Sequence, residues 1–284
     1  MNLIVFVIAA IASYWYETEL LLFFGGVFIM ARFLYKWYKP VLSAWPPDRG
    51  KIGRSVLGVM PVAASVITLF VLLNMASFDV VGIWIVFYII MGYAWINGGV
   101  FLIEYLLDFS WAYDTIHLDN KAAVIPAASS FLGLTLIYAG ANIGDGPGWW
   151  VILIAGGLGF ITWLCLALLL NLTSHISERI TVDRDVGCGI RFGMYMLASG
   201  LILAQASGGD WTSLQATIVE FLVGWPVLPL AALVLLVEQY YLRRTNNEFS
   251  DANPIIASFF WGCVYLAYAI IAVLSLPPLV IFPR

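Results

Sequence analysis

Long apolar stretches separated by short polar segments fill almost the whole chain, and none has the strict alternation of a half-buried strand. Eight stretches reach the length of about 20 apolar residues that a membrane helix requires. A membrane β-barrel would instead show segments of about ten residues with alternating polarity. The pattern therefore predicts an all-α, polytopic membrane helical bundle of about eight transmembrane helices. The predicted spans cover residues 20–38, 54–75, 82–107, 121–141, 149–173, 186–206, 217–242 and 254–276.

The N-terminal apolar segment is shorter than these spans. Residues 2–16 end in Tyr14, Trp15 and Tyr16, a composition suited to the membrane interface. No basic residue precedes the apolar run, so we expect a retained segment rather than a cleaved signal peptide. It is either an interfacial segment or a ninth span. The predicted organisation is an N-terminal segment (1–19), two membrane halves of two helical hairpins each (20–141 and 149–276) and a short tail (277–284).

The polar connectors recur at a regular interval. The connectors at alternate ends of the spans carry aspartates 64 to 71 residues apart, and the intervening turns carry aspartates 66 and 65 residues apart. Two sets of landmarks thus share one period, which predicts four tandem two-helix repeats, all in the same orientation. The first set is Asp48, Asp119, Asp183 and Asp251, and the second set is Asp79, Asp145 and Asp210. We interpret the second set as turn and helix N-cap residues.

Composition and charge identify the surroundings of the bundle. Apolar and aromatic residues make up 62% of the chain and charged residues 11%, against about 25% charged residues in soluble domains. There are 13 Lys and Arg against 17 Asp and Glu, with no basic block, so we expect a lipid bilayer and no nucleic acid as a partner. Nearly all basic residues fall in the first set of connectors, which the positive-inside rule places in the cytoplasm.

Ionisable residues within or beside the spans are the candidate functional positions, because charge at membrane depth is costly. Glu104 and Glu238 lie two periods apart near the cytoplasmic ends of two spans. They are either solvated or paired helix-end carboxylates, or parts of a vestibule that recruits cations or a basic partner. Arg191 lies ~9 Å into its span if the helix starts at Asp185. It requires a carboxylate, for which Glu178, Asp183 and Asp185 are the nearest candidates.

The cytoplasmic turns carry a family resemblance. The segments Asp119-Asn120-Lys121-Ala122-Ala123, Ile176-Ser177-Glu178-Arg179-Ile180 and Asp185-Val186-Gly187-Cys188-Gly189 resemble the YjfL-like family of bacterial inner-membrane proteins, in which an Asn followed by small residues opens two such helices. The likeness is best over residues 105–211, where Asp185 replaces the second Asn, and the flanking hairpins suggest a doubled form. Asn253 precedes the last span similarly. The resemblance implies a bacterial inner membrane and association with phage-shock-type coat proteins and peptide–polyamine ligase-like enzymes.

No motif predicts catalysis. The chain has no His-Glu-x-x-His sequence and no nucleophile elbow, and its two histidines, His117 and His175, lack a ligand spacing. We therefore expect no catalytic residue, cofactor or metal. Tryptophans such as Trp37 and Trp111 are interpreted as parts of interfacial aromatic belts. Stripes of Gly, Ala and Ser in residues 122–130 and 187–200 are expected to form close helix seams.

These features favour a non-catalytic scaffold or accessory subunit of the inner membrane. Small-residue seams would dock other helices, including those of an oligomer, and basic cytoplasmic turns would dock membrane or peripheral proteins. The alternative is a passive channel or a transporter for a small ion or solute, since Asn97 and Thr135 lie at mid-span. Against coupled transport, no carboxylate is predicted near the membrane midplane, where transporters usually place one.

Overall fold

The computed structural model describes residues 17–46, 48–245 and 254–276. Within these ranges the chain forms ten α-helices, together with a five-residue π-helix at Tyr113–His117 and a 3₁₀ turn at Leu222–Gly224. The predicted N-terminal segment 2–16 and the tail 277–284 lie outside the described residues. The helices are α1 (Glu17–Ser43), α2 (Lys51–Asn74), α3 (Ile83–Leu107), α4 (Lys121–Gly140), α5 (Trp149–Ser174), α6 (Ile176–Thr181), α7 (Val186–Ala206), α8 (Leu214–Phe221), α9 (Val227–Thr245) and α10 (Pro254–Ser275).

Eight of the described helical segments are long and apolar enough to cross a membrane, which confirms the predicted all-α membrane bundle. Each matches one predicted stretch. The seventh span begins earlier than predicted, at Leu214, because α8, the 3₁₀ turn and α9 follow one another as one span that extends to Arg243. The short helix α6 lies in a connector.

The helices pack in two rows. Helices α2, α4, α7 and α10 contact one another in that order, and α1, α3, α5 and α9 follow the same order beside them. The connectors before α2, α4 and α7 meet at one end of the bundle, which we call the basic end because its exposed side chains include Arg49, Lys51, Lys121 and Arg184. The turns at residues 75–82, 141–148 and 207–213 lie at the opposite end.

Helices α4 and α7 form the centre of the bundle. They run parallel, and a Cβ added at Gly189 would lie 2.1 Å from the Ala122 carbonyl oxygen. Near the other end of the seam, a Cβ at Gly140 would lie 2.1 Å from the Ala204 carbonyl oxygen. Glycine is required at both positions because the backbones themselves touch. The predicted small-residue stripes therefore do form a close helix seam.

Backbone hydrogen bonds join successive turns at the opposite end. The Gly144 amide donates to the Met75 carbonyl oxygen (3.1 Å), and the Gly209 amide donates to the Ile143 carbonyl oxygen (2.9 Å). The Asp210 side chain also accepts from the Asp145 amide (2.6 Å). Three turns are thereby held edge to edge across the bundle.

The aspartates at the opposite end are turn residues, as predicted, but the prediction that they cap helices is wrong. The N-cap residues of α3, α5 and α8 are Gly82, Gly148 and Ser213. The Ser213 hydroxyl accepts from the Ala216 amide, which is the capping role expected for Asp210. Each N-cap residue follows the aspartate of its turn by three residues, because the turn continues for that length before the helix begins.

The interpretation of Trp37 as a belt residue is also wrong. Its side chain is 1% exposed, its ring stacks on Trp111 with centroids 3.9 Å apart, and its indole N–H donates to the Leu57 carbonyl oxygen (2.9 Å). A buried indole needs a hydrogen-bond acceptor, and this carbonyl supplies one. Trp37 therefore links α1 to α2 by a hydrogen bond inside the bundle.

Candidate functional site

A buried charge network lies at the basic end, around Arg191. The Arg191 guanidinium donates from Nε to Glu238 Oε1 (2.6 Å) and from one terminal nitrogen to Oε2 (2.8 Å). Its other terminal nitrogen donates to the Ser258 hydroxyl (2.5 Å). Arg191 and Glu238 are 1% and 0% exposed. This two-pronged geometry is the strongest form of arginine–carboxylate pair.

A second arginine shares the same carboxylate. Arg179, in the short helix α6, donates to Glu238 Oε2 (2.7 Å) and to Asp185 Oδ2 (2.9 Å). Asp185 is at the same time the N-cap of α7, since its other oxygen accepts from the Cys188 amide (2.9 Å). Burial alone would lower the pKa of Arg179, but the surrounding negative groups outweigh burial and raise its pKa. Both arginines are therefore charged, and each faces a carboxylate.

The network is electrically neutral, and each of its charged groups is paired with a group of opposite charge. Two guanidinium groups oppose two carboxylates, and the Tyr241 ring covers Arg191 with the guanidinium carbon 3.9 Å from the ring centroid. Burying a charge is tolerable only when it is paired and hydrogen-bonded, and both conditions are met here. Because its members come from α6, α7, α9 and α10, the network ties four helices together at the basic end.

Local backbone structure places Arg179 and Asp185. Helix α5 ends at Ser174, and the φ of 50° at the next residue, His175, turns the chain sharply into α6. Six residues of helix then present Arg179 inward, and Asp185 begins α7. The Asp185 amide donates back to the Arg179 carbonyl oxygen (2.9 Å), which closes the connector into a compact loop. The connector therefore presents both side chains to Glu238.

Asn120 is the N-cap of α4, as Asp185 is of α7. Its side-chain oxygen accepts from the Ala122 amide (3.0 Å), and its side-chain nitrogen donates to the Ile180 carbonyl oxygen (2.7 Å). The residue is 1% exposed. Asn120 thus caps α4 and attaches it to α6, whereas Asp185 caps α7 and binds Arg179. Asp119, which precedes Asn120, is exposed and adopts a left-handed φ of 48°.

Glu104 does not join this network. Its carboxylate accepts from the Ser110 hydroxyl (3.2 Å) and the Trp111 amide (3.3 Å), so it stabilises the chain reversal after α3. Nearby, burial raises the pKa of the Asp114 carboxyl, a hydrogen bond from the Ser110 amide lowers it, and the charge of Asp108 raises it. The net effect is an Asp114 pKa above the ordinary value.

The sequence correctly indicates that Arg191 needs a carboxylate, but the predicted partners are wrong. Glu178 and Asp183 are exposed, and Glu178 lies 3.8 Å from the His175 ring nitrogen. Asp185 binds Arg179 instead of Arg191. The partner, Glu238, was itself a candidate position, although it is 47 residues away in another span. Asn253 lies outside the described residues.

Arg179, Ser258 and Tyr241 were not singled out from the sequence. Arg179 precedes Asp185 by six residues in a connector, where a solvated arginine is ordinary. The sequence does contain one indication that Tyr241 belongs with Glu238. Tyr241 follows Glu238 by three residues, a spacing that places both on one helix face. Helical spacing relates residues within one span, but it does not show which spans meet.

Comparisons with known proteins add a family match over part of the chain. Residues 71–207, just under half of the chain, match the model of a Domain of Unknown Function, DUF350. The matched part runs from the end of α2 to the end of α7 and includes Arg179, Asp185 and Arg191. Neither the curated proteins nor the solved structures gave a match.

Proposed function

We propose that this protein is a non-catalytic membrane scaffold or accessory subunit whose basic end docks a partner protein. The observation that carries the proposal is the closed charge network at that end. It fixes the connector 175–185 against Glu238 of α9 and so gives the exposed turn a defined shape. A rigid, partly charged turn is what a docking surface needs, because little ordering is left to be done on binding.

Pairing within the network favours a structural role over transport. A transporter site needs ionisable groups that can release one partner and take up another, and such groups usually lie near the midplane. Here the buried carboxylate of Glu238 is held by two arginines, with three contacts of 2.6–2.8 Å. Exchange of these partners for a solute would leave buried arginines without a counter-charge, at high cost.

Close packing of α4 against α7 also disfavours a path between these central helices. A Cβ at Gly200 would lie 2.7 Å from the Gly133 Cα, so the two backbones touch near mid-span. Thr135, which lines a path in the channel alternative, is 0% exposed and donates to the Phe131 carbonyl oxygen (2.9 Å). Its hydroxyl is thus used within its own helix.

The exposed surface of the basic end combines charge with apolar side chains. Val182 is 71% exposed beside Arg184, and Trp45 is 79% exposed beside the turn that carries Arg49. Apolar side chains among charges are typical of recognition surfaces. The expected partner is therefore a membrane or peripheral protein that approaches this end.

We further propose that the bundle is built from four tandem hairpins in a bacterial inner membrane, with the basic end in the cytoplasm and the chain a doubled form of a YjfL-like unit. The α4–α7 contacts support the repeat, because the residues that meet are separated by nearly one period: Ala122 and Gly189 by 67 residues, Gly133 and Gly200 by 67, and Gly140 and Ala204 by 64. Cysteines at exposed Asp119 and Gly146 test the orientation. A membrane-impermeant maleimide added to intact cells should label only the second. Labelling of both from one side would overturn the topology.

Photo-crosslinking in cells tests the docking role. A photoreactive residue at Val182 should give one discrete adduct, and the Arg184→Glu change should reduce it. The matched control is Val81, which is 62% exposed at the opposite end and should not give that adduct. The same adduct from both sites, or none from Val182, would contradict docking at the basic end.

Reconstitution tests the alternative function. Purified protein in liposomes should show no flux of K⁺, Na⁺ or Cl⁻ above that of empty liposomes. Flux that increases with the amount of protein would favour the channel instead.

A further inference from the structure

A cavity of about 260 Å³ opens at the opposite end of the bundle, away from the charge network. Its walls come from the start of α1, the α2–α3 turn, the start of α3, the α4–α5 turn and the start of α5. The hydrogen bond between Gly144 and Met75 joins two of these walls, and that between Gly209 and Ile143 anchors the α4–α5 turn to the next turn. The cavity is therefore framed by linked turns, and its shape does not depend on a single loop.

The lining is acidic. Glu19, Asp79 and Asp145 contribute three carboxyl groups, and no Lys, Arg or His is among the described residues that line the cavity. Within the same part of the chain, neither Asp79 nor Asp145 forms an ion pair. Asp79 and Asp145 therefore give the cavity a negative charge that favours a cation.

Two buried polar side chains also face the cavity. Tyr88 and Asn142 are 8% and 5% exposed, and both line it. The Asn142 amide nitrogen donates to the Tyr138 carbonyl oxygen (2.7 Å), a bond that does not use the side-chain oxygen. Among the described residues, neither that oxygen nor the Tyr88 hydroxyl has a hydrogen-bond partner. Each of these mostly buried side chains therefore offers an unpaired polar atom to a ligand.

We propose that this cavity binds a small organic ammonium cation. Trp84 and Trp149 line it together with the carboxylates, and indole faces attract ammonium groups. The Asn142 oxygen and the Tyr88 hydroxyl can accept hydrogen bonds from an N–H group. A bare metal ion fits less well, because the described residues contain no group of three His, Cys, Asp or Glu side chains placed to hold one.

The ammonium group could belong to a free amine or to the headgroup of phosphatidylethanolamine, since the cavity lies at an end of the membrane-spanning helices. The two sources share the same chemistry at the cavity. If the occupant is the phosphatidylethanolamine headgroup, phosphatidylethanolamine around the protein competes with a soluble ammonium probe. If the occupant is a free amine, the lipid does not compete.

Saturation-transfer NMR on the purified full chain in maltoside micelles tests the proposal. The probe is tert-butylammonium, and tert-butanol is its neutral control of the same shape. We expect a saturable signal from the ammonium and none from the alcohol. Tyr88→Phe and Asp79→Asn should each weaken binding by about fivefold or more. Asp48→Asn, at the basic end, should leave binding unchanged.

Equal signals from the two probes, or equal binding by the wild type and both cavity variants, would overturn the proposal. Displacement of tert-butylammonium by micromolar Ca²⁺ or Mg²⁺ would also overturn it in favour of a metal site. A second arm compares nanodiscs of phosphatidylglycerol and phosphatidylethanolamine. A signal lost only in phosphatidylethanolamine identifies the headgroup as the occupant, and a signal kept in both identifies a free amine.

Discussion

Arg191 of α7 and Glu238 of α9 form a two-pronged ion pair across 47 residues of sequence, with both side chains almost completely buried. Both side chains of the pair are shielded from solvent. The contribution of the pair therefore depends on both partners being present, because either one alone is an uncompensated charge in an apolar interior.

Glu238→Gln should destabilise the protein by about 3–5 kcal/mol, since it leaves two buried arginines facing only Asp185. The measurement is thermal unfolding in detergent together with the yield from membranes. Glu178→Gln is the matched control, because Glu178 is exposed in the connector between two spans and its loss should change the stability by no more than about 0.5 kcal/mol. Similar losses for the two variants would show that Glu238 is not a critical partner.

Two substitutions of Arg191 should separate the contribution of its charge from that of its two-pronged hydrogen bonding. Arg191→Lys keeps the charge and loses the two-pronged geometry, whereas Arg191→Leu leaves Glu238 with Arg179 alone. We expect Arg191→Leu to lower the yield in membranes more than Arg191→Lys does. Equal yields would contradict the pairing. A double-mutant cycle that combines Glu238→Gln with Arg191→Leu should show strong coupling, because both changes act on one interaction.

The α4–α7 seam should not tolerate a single added methyl group at its closest contact. Gly189→Ala would place Cβ 2.1 Å from the Ala122 carbonyl oxygen, and a backbone atom cannot move aside as a side chain does. We expect a loss of at least about 1–3 kcal/mol, the usual cost of overpacking. The measurement is thermal unfolding of the purified protein.

Gly157→Ala is the matched control for the seam. Gly157 also lies inside a transmembrane helix, but no heavy atom would lie within 4 Å of its added Cβ. Alanine has the better helix propensity by about 1 kcal/mol, so this variant should be as stable as the wild type or slightly more stable. If both alanine variants behaved alike, the close approach of α4 and α7 would be contradicted.

The sequence predicts the spans and the central seam well, because both depend on local features. Apolar length alone defines eight spans, and small residues at helical spacing mark where backbones can approach. The charge network was only partly predictable. Arg191 at membrane depth signals a carboxylate, but the choice of Glu238 depends on how α7 and α9 pack, which no local pattern encodes. Trp37 shows the same limit, since burial or interface location depends on its neighbours in space.

Asn120 and Asp185 cap the two central helices, α4 and α7, but differ in what else they bind, so exchanging their side-chain types should be costly. Asn120→Asp keeps a good cap but loses the donor to the Ile180 carbonyl oxygen and buries a charge beside it. Asp185→Asn keeps a cap but removes a charge that pairs with Arg179. We expect each variant to lose about 1–3 kcal/mol in thermal unfolding experiments.

Asp119→Asn serves as the control for this exchange, because Asp119 is exposed and precedes the cap. Its stability should stay close to that of the wild type. Unchanged stability of Asn120→Asp would mean that capping, and not the bond to α6, is the role of Asn120.

Asp114 should make the stability depend on pH in the acidic range. The residue is 7% exposed, and burial raises the pKa of its carboxyl above the ordinary value. A raised pKa in the folded state means that folding favours the protonated form. The stabilising contribution is therefore fully present below the pKa of the unfolded state and is lost as the pH rises through the pKa of the folded state.

The variant Asp114→Asn mimics the protonated form and removes this dependence on pH. The melting temperature of the wild type should therefore rise relative to that of Asp114→Asn as the pH falls from about 7 to about 4. A difference between the two proteins that stays constant or changes in the opposite direction would contradict the raised pKa.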